Sequence, residues 1–192
     1  MAENNFCGST LAGIPLGCDS SMGGIKRVFI GNYSQLDSTT GSMRDSIILD
    51  KSKELIDNIE VTGELPSTVN HYNFRKQTGS VETNIVSNEE TGVVFYESTI
   101  NLVFTKQETS KRVEIAALAL GDLFVIVEDN NGNYFVYGLD YPVTLSEANA
   151  TSGTAFTDFN GYNVTLTDVS FNLPYQLSEI GINNLLVKET KE

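Results

Sequence analysis

Residues 123–139 read LFVIVEDNNGNYFVYGL, and this stretch gives the clearest indication of the fold. Two apolar runs, 123–128 and 134–139, flank a polar segment containing Asn131–Gly132, a pair that supplies the positive φ angles of a tight hairpin turn. Both runs are almost continuously apolar, which is typical of strands with both faces covered. The stretch therefore predicts a β-hairpin in the middle of the hydrophobic core.

Further strands are predicted on both sides of this hairpin. Upstream, Val93–Thr105 (VVFYESTINLVFT) is the longest strand pattern in the chain. Downstream, Tyr162, Val164 and Leu166 alternate with polar residues, so we expect them to face inward from one strand. Residues 140–152, between the hairpin and that strand, are predicted to be a loop. Shorter apolar runs predict strands at Ile25–Ile30, Ile47–Leu49 and Leu55–Val61.

One short helix is predicted between the longest strand and the central hairpin. Its apolar face comprises residues spaced at i, i+3, i+4 and i+7, namely Val113, Ala116, Ala117 and Leu120. Thr109 and Ser110 are N-cap candidates, and Gly121 suits the C′ position that follows a helix. The alternation of Ala and Leu over 116–120 leaves a strand as the alternative.

Many strands, one helix and no internal repeat define the fold class. Helices do not alternate with strands, and this excludes a parallel α/β sheet. The pattern predicts a mainly β fold, built as a two-sheet sandwich or barrel with one short flanking helix and an extended arm or hairpin.

The length of 192 residues suits one domain. Residues 1–23 are rich in glycine and lack periodicity, so they predict an N-terminal arm that becomes ordered against a neighbour. Residues 24–192 are predicted to form a single β-rich domain. Its C-terminal apolar run, 182–187, is expected to form a terminal strand or arm.

A protruding hairpin is predicted at about residues 64–92. Tyr72 and Phe74 share one side of its first strand, and Thr78–Gly79 supplies the turn. Apolar residues of the second strand are Val81 and Ile85, with Thr83 between them. The segment has little of its own to pack against, so we expect it to project from the domain or to form an interface.

Charge restricts the possible partners. The formal net charge is −13, and only 19% of the residues are charged. Binding to nucleic acid requires clustered cations, whereas basic residues here come in short pairs such as Lys26–Arg27 and Lys111–Arg112. The charge therefore argues against a chain that grips DNA or docks on an anionic membrane. An acidic surface that faces DNA without holding it remains compatible with the charge.

Cysteine content and apolar runs bear on the compartment. Cys7 and Cys18 are the only cysteines, and no run near the N-terminus resembles a secretory signal. We predict free thiols in an intracellular compartment, with a disulfide closing an N-terminal loop as the alternative. No run reaches the roughly 18 apolar residues of a membrane span.

Candidate catalytic residues are few. His71 is the only histidine, so a Ser/His/Asp or Cys/His site would have to use it, and no Gly-x-Ser-x-Gly motif accompanies it. We interpret His71 as a solvated side chain of the predicted hairpin. Glu89–Glu90 is interpreted as a solvated charge pair. General acid–base catalysis would otherwise need carboxylates flanking strands to converge, and the candidates are Asp140, Asp158 and Asp168.

Cofactor motifs were sought in the loops. No glycine-rich dinucleotide or phosphate-binding motif is present. Loops 127–132 and 156–161 end on a glycine, as calcium loops do at their sixth position, but each begins on an apolar residue where a carboxylate is required. We interpret both loops as turns. The chain is therefore predicted not to be an enzyme, with no catalytic, cofactor-binding or metal-binding residues.

One segment resembles a known family. From about residue 92 to 170 the predicted order is long strand, short helix, apolar hairpin, polar turn and final strand, and residues 152–168 read SGTAFTDFNGYNVTLTD. This segment, under half of the chain, resembles the tail-tube and neck-ring virion proteins of tailed bacteriophages, as in crAss-like phages of Bacteroidetes. It contains no catalytic signature. The N-terminal arm and the segment 64–92 do not share the resemblance.

The resemblance implies a structural virion protein. Subunits of that family pack two small sheets with a flanking helix, and their sheets join around a lumen through which phage DNA passes without specific binding. It implies partners that are copies of the same chain and adjacent neck, tail or portal proteins, in a particle assembled in the bacterial cytoplasm. The alternatives are a capsid decoration protein, a carbohydrate-binding or adhesion β-sandwich, and an acidic esterase or glycosidase.

Overall fold

The computed structural model describes residues 20–35, 47–50, 55–59 and 69–183, and describes only the backbone at 35, 47–50 and 57–59. Within these residues, the mainly β fold that was predicted is confirmed. The chain forms strands β1 (Ile25–Asn32), β2 (Ile47–Asp50), β3 (Leu55–Ile59), β4 (Asn70–Asn73), β5 (Gly79–Asn88), β6 (Val93–Thr105), β7 (Leu123–Asp129), β8 (Tyr134–Tyr137), β9 (Thr144–Thr151), β10 (Gly161–Ser170) and β11 (Tyr175–Leu177), and the helix α1 (Thr109–Leu118).

The strands form two open sheets. The seven-stranded sheet has the order β2-β3-β11-β8-β7-β1-β4, and the four-stranded sheet has the order β5-β6-β10-β9. All pairs are antiparallel except β11 with β3. Neither sheet closes on itself in the part of the chain that the structure describes.

The central hairpin forms as predicted and lies in the middle of the seven-stranded sheet. Every residue from Leu123 to Glu128 is buried. Val125 and Val127 pack toward the four-stranded sheet. Phe124 and Ile126 pack on the opposite side. The continuous apolar run is thus explained by two cores, one on each face of β7.

The turn of this hairpin differs in detail from the prediction. Gly132 has a φ of 86°, but Asn131 does not share the positive φ. The carboxylate of Asp129 instead accepts hydrogen bonds from the backbone N–H groups of Asn131 and Asn133, both at 2.8 Å. An aspartate that caps its own loop therefore replaces the second left-handed residue.

The first core joins the two sheets and the helix. It contains Val28 and Val125 of the seven-stranded sheet, and Ile100 and Leu166 of the four-stranded sheet. The predicted inward positions of β10 are confirmed, since Val164 and Leu166 are buried and Tyr162 packs against the same cluster. The second core lies on the other face of the seven-stranded sheet, around Phe29, Phe124 and Ile126.

The hairpin predicted over 64–92 is not formed. β4 pairs with β1 in one sheet, whereas β5 pairs with β6 in the other, so Tyr72 and Val81 lie on strands that do not pair with each other. Tyr72 and Phe74 stack instead on Phe104, with ring centroids 5.8 and 5.3 Å apart. Local alternation predicted the strands correctly, but the choice of pairing partner depends on the whole core.

Helix α1 exists where it was predicted, but it is rotated about its axis. Ile115 and Leu118 are its buried residues, whereas Val113 is 56% and Leu120 92% exposed. Its N-cap is Glu108, without a side-chain capping bond, and its C-cap is Ala119, so the predicted capping roles of Thr109, Ser110 and Gly121 were wrong. No helix among the described residues is long and apolar enough to cross a membrane.

Two strands were missed. β9 lies in the segment predicted to be a loop, because as an edge strand it leaves most of its side chains exposed and shows no apolar alternation. β11 has only three residues, too few for a pattern. Residues 1–19 lie outside the described residues, so the predicted arm, Cys7 and Cys18 stay predictions, as does the assignment of one domain to 24–192.

Candidate functional site

The four-stranded sheet turns one face to the core and one away from it. We call the face that is turned away from the core the outer sheet face. Its polar members are exposed or half-buried and comprise Glu82, Asn84, Glu97, Thr99, Asn101, Glu147, Asn149, Asn163, Thr165 and Thr167. None of the four strands contains a lysine, arginine or histidine.

The acidic residues of the outer sheet face come from three strands. Glu82 and Glu97 lie diagonally across β5 and β6, since Glu82 is opposite Thr99 and Asn84 is opposite Glu97. Glu147 lies on β9. Between these carboxylates the face carries neutral groups, and the hydroxyl of Thr165 donates to Oδ1 of Asn101 at 3.0 Å. The result is a negatively charged, hydrogen-bonding surface.

A buried polar row crosses the core side of the same sheet. Thr83 pairs with Ser98, and Ser98 pairs with Asp168, so the three residues lie side by side on β5, β6 and β10. The hydroxyls of Thr83 and Ser98 are 2.8 Å apart. Tyr137 of the other sheet lies beside this row, and burial and the negative charge of Asp168 raise its pKa.

Asp168 is the most unusual ionisable group of the row. It is 2% exposed, and its Oδ1 accepts a hydrogen bond from the Gly138 N–H at 3.1 Å. Burial raises the pKa of Asp168 to about 6, and the negative charge of Asp140 acts in the same direction, while the bond from Gly138 opposes it. A carboxyl group in this setting can bind a proton near neutral pH.

A second buried acidic group lies on the seven-stranded sheet. Glu128 is 2% exposed and forms ion pairs with Arg27 and, at 2.6 Å, with Lys26. Nη2 of Arg27 also donates to the Tyr134 hydroxyl at 2.9 Å. Burial alone would raise the pKa of Glu128, but the hydrogen bonds from Lys26 and Arg27 outweigh it, so the pKa is lowered. Glu128 is therefore held as a carboxylate.

An open cleft of about 540 Å³ lies between the two sheets beside the edge strand β5. We call it the inter-sheet cleft. Its walls are largely apolar and include Met22, Ile25, Val81, Val127, Phe135 and Leu173. Thr83 and Tyr137 contribute polar groups, and Asp129 is the one charged residue of the lining. The Asp129 carboxylate is already occupied by its own turn.

A rigid turn lies between β9 and β10. Oδ2 of Asp158 accepts hydrogen bonds from the backbone N–H groups of Thr154 and Ala155, both at 2.8 Å. These bonds lower the pKa of Asp158. Gly153 has a φ of +67°, and a Cβ there would lie 2.4 Å from Cβ of Asp158. Phe156, at the apex of this turn, is fully exposed.

The structure separates most of the residues considered as catalytic candidates. His71 is exposed on the edge strand β4, opposite Phe29. Glu89 and Glu90 are exposed in the β5–β6 turn. Asp140 lies near Asp168, but its Oδ2 accepts the Phe171 N–H at 2.7 Å. Asp158 is engaged in its own turn. No group of three or more His, Cys, Asp or Glu residues suited to a metal occurs among the described residues.

Both calcium-loop candidates are turns, as was predicted, and each is closed by its own aspartate. Asp129 closes the first, and Asp158 closes the second. The polar row, the Glu128 ion pairs and the inter-sheet cleft were not predicted. One signal was visible, because Ser98 occupies an inward position of a strand whose other inward residues are aliphatic or aromatic.

Comparison with known proteins adds no relative. No protein family, curated protein or solved structure matches this chain.

Proposed function

We propose that this chain is a structural virion protein that forms an oligomeric ring or tube in the neck or tail of a tailed phage. In this proposal it lines a channel through which DNA passes. The observation that carries the proposal is the absence of any cation from all four strands of one sheet, combined with the carboxylates of its outer face.

Electrostatics supports the channel. A cationic wall displaces counterions from DNA and binds phosphate groups. The outer sheet face offers carboxylates and neutral side chains instead, mostly Thr and Asn with the apolar Phe95, Val103 and Val169. Such a surface repels the DNA backbone and retains water, so DNA can slide past without being held. The net charge of −13 acts in the same direction.

The edges of the four-stranded sheet support the assembly. β5 and β9 are its edge strands, and exposed edges invite pairing with another chain. In the proposed ring, β9 of one copy lies beside β5 of the next, so the outer sheet faces form one continuous lining. The two sheets then act as a sandwich, with the four-stranded sheet toward the lumen and α1 flanking it.

The β5–β6 hairpin supports contacts beyond the ring. β6 extends past its pairing with β10, which ends at Tyr96, and the exposed apolar residues Ile85, Val93 and Val94 lie at this end. In the proposal this end contacts an adjacent neck, tail or portal protein. The protein has no catalytic role, cofactor or membrane association, and it is incorporated into the virion in the host cytoplasm.

The test is electron microscopy of the purified full-length chain, with native mass spectrometry to count subunits. We expect closed rings or short tubes in which the outer sheet face lines the lumen. A stable monomer would count against the proposal. Rings in which the outer sheet face points to the exterior would remove the channel argument.

A carbohydrate-binding or adhesion protein is the second candidate. Tyr141 and Phe171 are both about half exposed, and their rings lie 5.9 Å apart. Adjacent exposed aromatic rings can stack on sugars. Binding of a monomer to immobilised glycans, lost in Tyr141→Ala and Phe171→Ala, would favour this candidate over the ring.

A further inference from the structure

The fully exposed aromatic ring of Phe156 is the most protruding apolar group among the described residues. The turn that carries it is fixed by Asp158, which binds the N–H groups of Thr154 and Ala155, and by a return bond from the Asp158 N–H to the Ala155 carbonyl at 3.0 Å. A rigid aromatic side chain loses little conformational entropy on docking. Phe156 therefore has the properties of an anchor for a protein interface.

The same chain contains a receptor of matching chemistry. The inter-sheet cleft has a volume of about 540 Å³, enough for an aromatic ring, and apolar walls formed by residues such as Val81, Phe135 and Leu173. Its polar side chains are hydroxyls and the Asn131 amide, and its one carboxylate is satisfied internally. An uncharged aromatic group is thus the kind of ligand that this cleft suits.

The anchor and the receptor lie at opposite edges of one sheet. Phe156 belongs to the turn that follows the edge strand β9, whereas the cleft opens beside the other edge strand, β5. The two edges are three strand spacings apart, about 14 Å. The turn adjoins the Thr105 end of β6, where Gly161 pairs, whereas Val81 and Thr83 of the cleft pair with Ile100 and Ser98.

We infer that Phe156 of one copy inserts into the inter-sheet cleft of the next copy. The contact is head-to-tail, because each copy offers both halves at different places. The inference rests on the proposed ring and specifies the contact that holds neighbouring subunits together.

The first test removes each half separately. Phe156→Ala deletes the anchor, and Leu173→Glu places a charge at the mouth of the cleft, where Leu173 is more than half exposed. We expect each variant to fold and to associate at least about thirty-fold more weakly than the wild type, the loss typical of a buried aromatic anchor. Sedimentation velocity and circular dichroism measure the two properties.

Mixing the two variants tests the head-to-tail geometry. The Leu173→Glu copy retains Phe156, and the Phe156→Ala copy retains an open cleft. A mixture should form a one-to-one dimer that grows no further, because the dimer has no remaining anchor facing a remaining cleft. The double variant should not associate with either single variant.

Two further variants complete the design. Leu120→Ala removes another large exposed apolar side chain, just after the C-terminal end of α1, and should leave association unchanged. Asp158→Ala keeps Phe156 but releases its turn, and should weaken association without affecting the fold.

The outcomes separate the contact from the proposed function. Wild-type rings that persist in Phe156→Ala and Leu173→Glu would overturn this contact and leave the ring in place. A mixture that behaves like either variant alone would also overturn it. A monomeric wild type at the highest concentration reached would overturn both the contact and the ring.

Discussion

Asp168 is a single buried group that makes the stability of the fold depend on pH. Its carboxyl group lies between the sheets, and its pKa is raised to about 6, mainly by burial. In the unfolded chain an aspartate titrates near about 3.9. Between these two values the folded state binds more protons than the unfolded state, so the free energy of unfolding falls as the pH rises through this window.

Replacing Asp168 by asparagine should remove the loss of stability that the wild-type protein shows as the pH rises. We expect Asp168→Asn to raise the free energy of unfolding at pH 8 by at most about 3 kcal/mol, and to change it little below pH about 3.5. Urea unfolding at several pH values measures the effect. Glu147→Gln, at an exposed position, should keep the wild-type profile. Equal pH profiles for Asp168→Asn and the wild type would contradict the role of Asp168.

Glu128 is the opposite case, a buried carboxylate held in its charged form by two cations. Glu128→Ala removes a buried carboxylate together with its ion pairs to Arg27 and Lys26 and should cost about 3 kcal/mol of stability. Lys26→Ala should cost less than about 1 kcal/mol, since the Lys26 side chain is 57% exposed. Chemical denaturation of both variants provides the comparison.

The pH dependence of Glu128 has the opposite sign to that of Asp168. Its pKa is lowered in the folded state, so the stabilisation is present at neutral pH and is lost as the pH falls through the lowered value. Equal losses in Glu128→Ala and Lys26→Ala would show that burial of the pair does not matter.

Among the elements, α1 buries a different face from the one that its sequence pattern predicts. Its sequence allows two apolar faces, one through Val113 and Leu120 and one through Ile115 and Leu118. The structure buries the second face, against the core shared by the two sheets. The i, i+3, i+4, i+7 spacing alone therefore predicted the helix but not its rotation.

This rotation can be tested by truncation. Leu118→Ala should destabilise the fold by about 2–4 kcal/mol, because it leaves a cavity in the core. Leu120→Ala should change stability by less than about 0.5 kcal/mol, because that side chain is almost fully exposed. Thermal or urea unfolding distinguishes the two. Reversed magnitudes would show that the helix packs through the face predicted from the sequence.

The strands likewise divide into those that the sequence predicts and those that it does not. Central strands β7 and β10 were predictable, because burial of one or both faces imposes a periodicity on their residues. Edge strand β9 carries no such constraint, so its sequence resembles that of a loop. β4 and β5 were predicted as strands but assigned to each other, whereas the structure assigns them to different sheets.

At the scale of the whole molecule, charge is distributed unevenly between the sheets. The seven-stranded sheet contains Lys26 and Arg27, whereas the four-stranded sheet contains no cation. If the outer sheet face lines a channel, reversing its charge should convert a passive lining into a DNA-binding one.

A triple variant tests this expectation. Glu82→Lys, Glu97→Lys and Glu147→Lys together should make the assembled ring retain linear duplex DNA, with an affinity that falls steeply as salt is added. The matched control, Glu89→Lys with Glu90→Lys and Glu179→Lys, makes the same charge change at exposed positions outside this face. Electrophoretic mobility shift measures retention. Equal retention by both triple variants would show that only net charge matters.

The sequence by itself determined the class of fold, the central hairpin, the helix and the acidic character of the chain. These follow from local periodicity, turn-forming residues and charge, which neighbouring residues define among themselves. It also indicated turns at 127–132 and 156–161, and the structure shows that Asp129 and Asp158 close them.

The pairing of strands, the buried face of α1 and the contacts between polar residues depend on tertiary packing. Thr83, Ser98 and Asp168 become neighbours through the registers of three strands, and the inter-sheet cleft exists because β5 is an edge beside the other sheet. Contacts between residues far apart in the chain depend on the packing of the whole core. No local pattern contains that information.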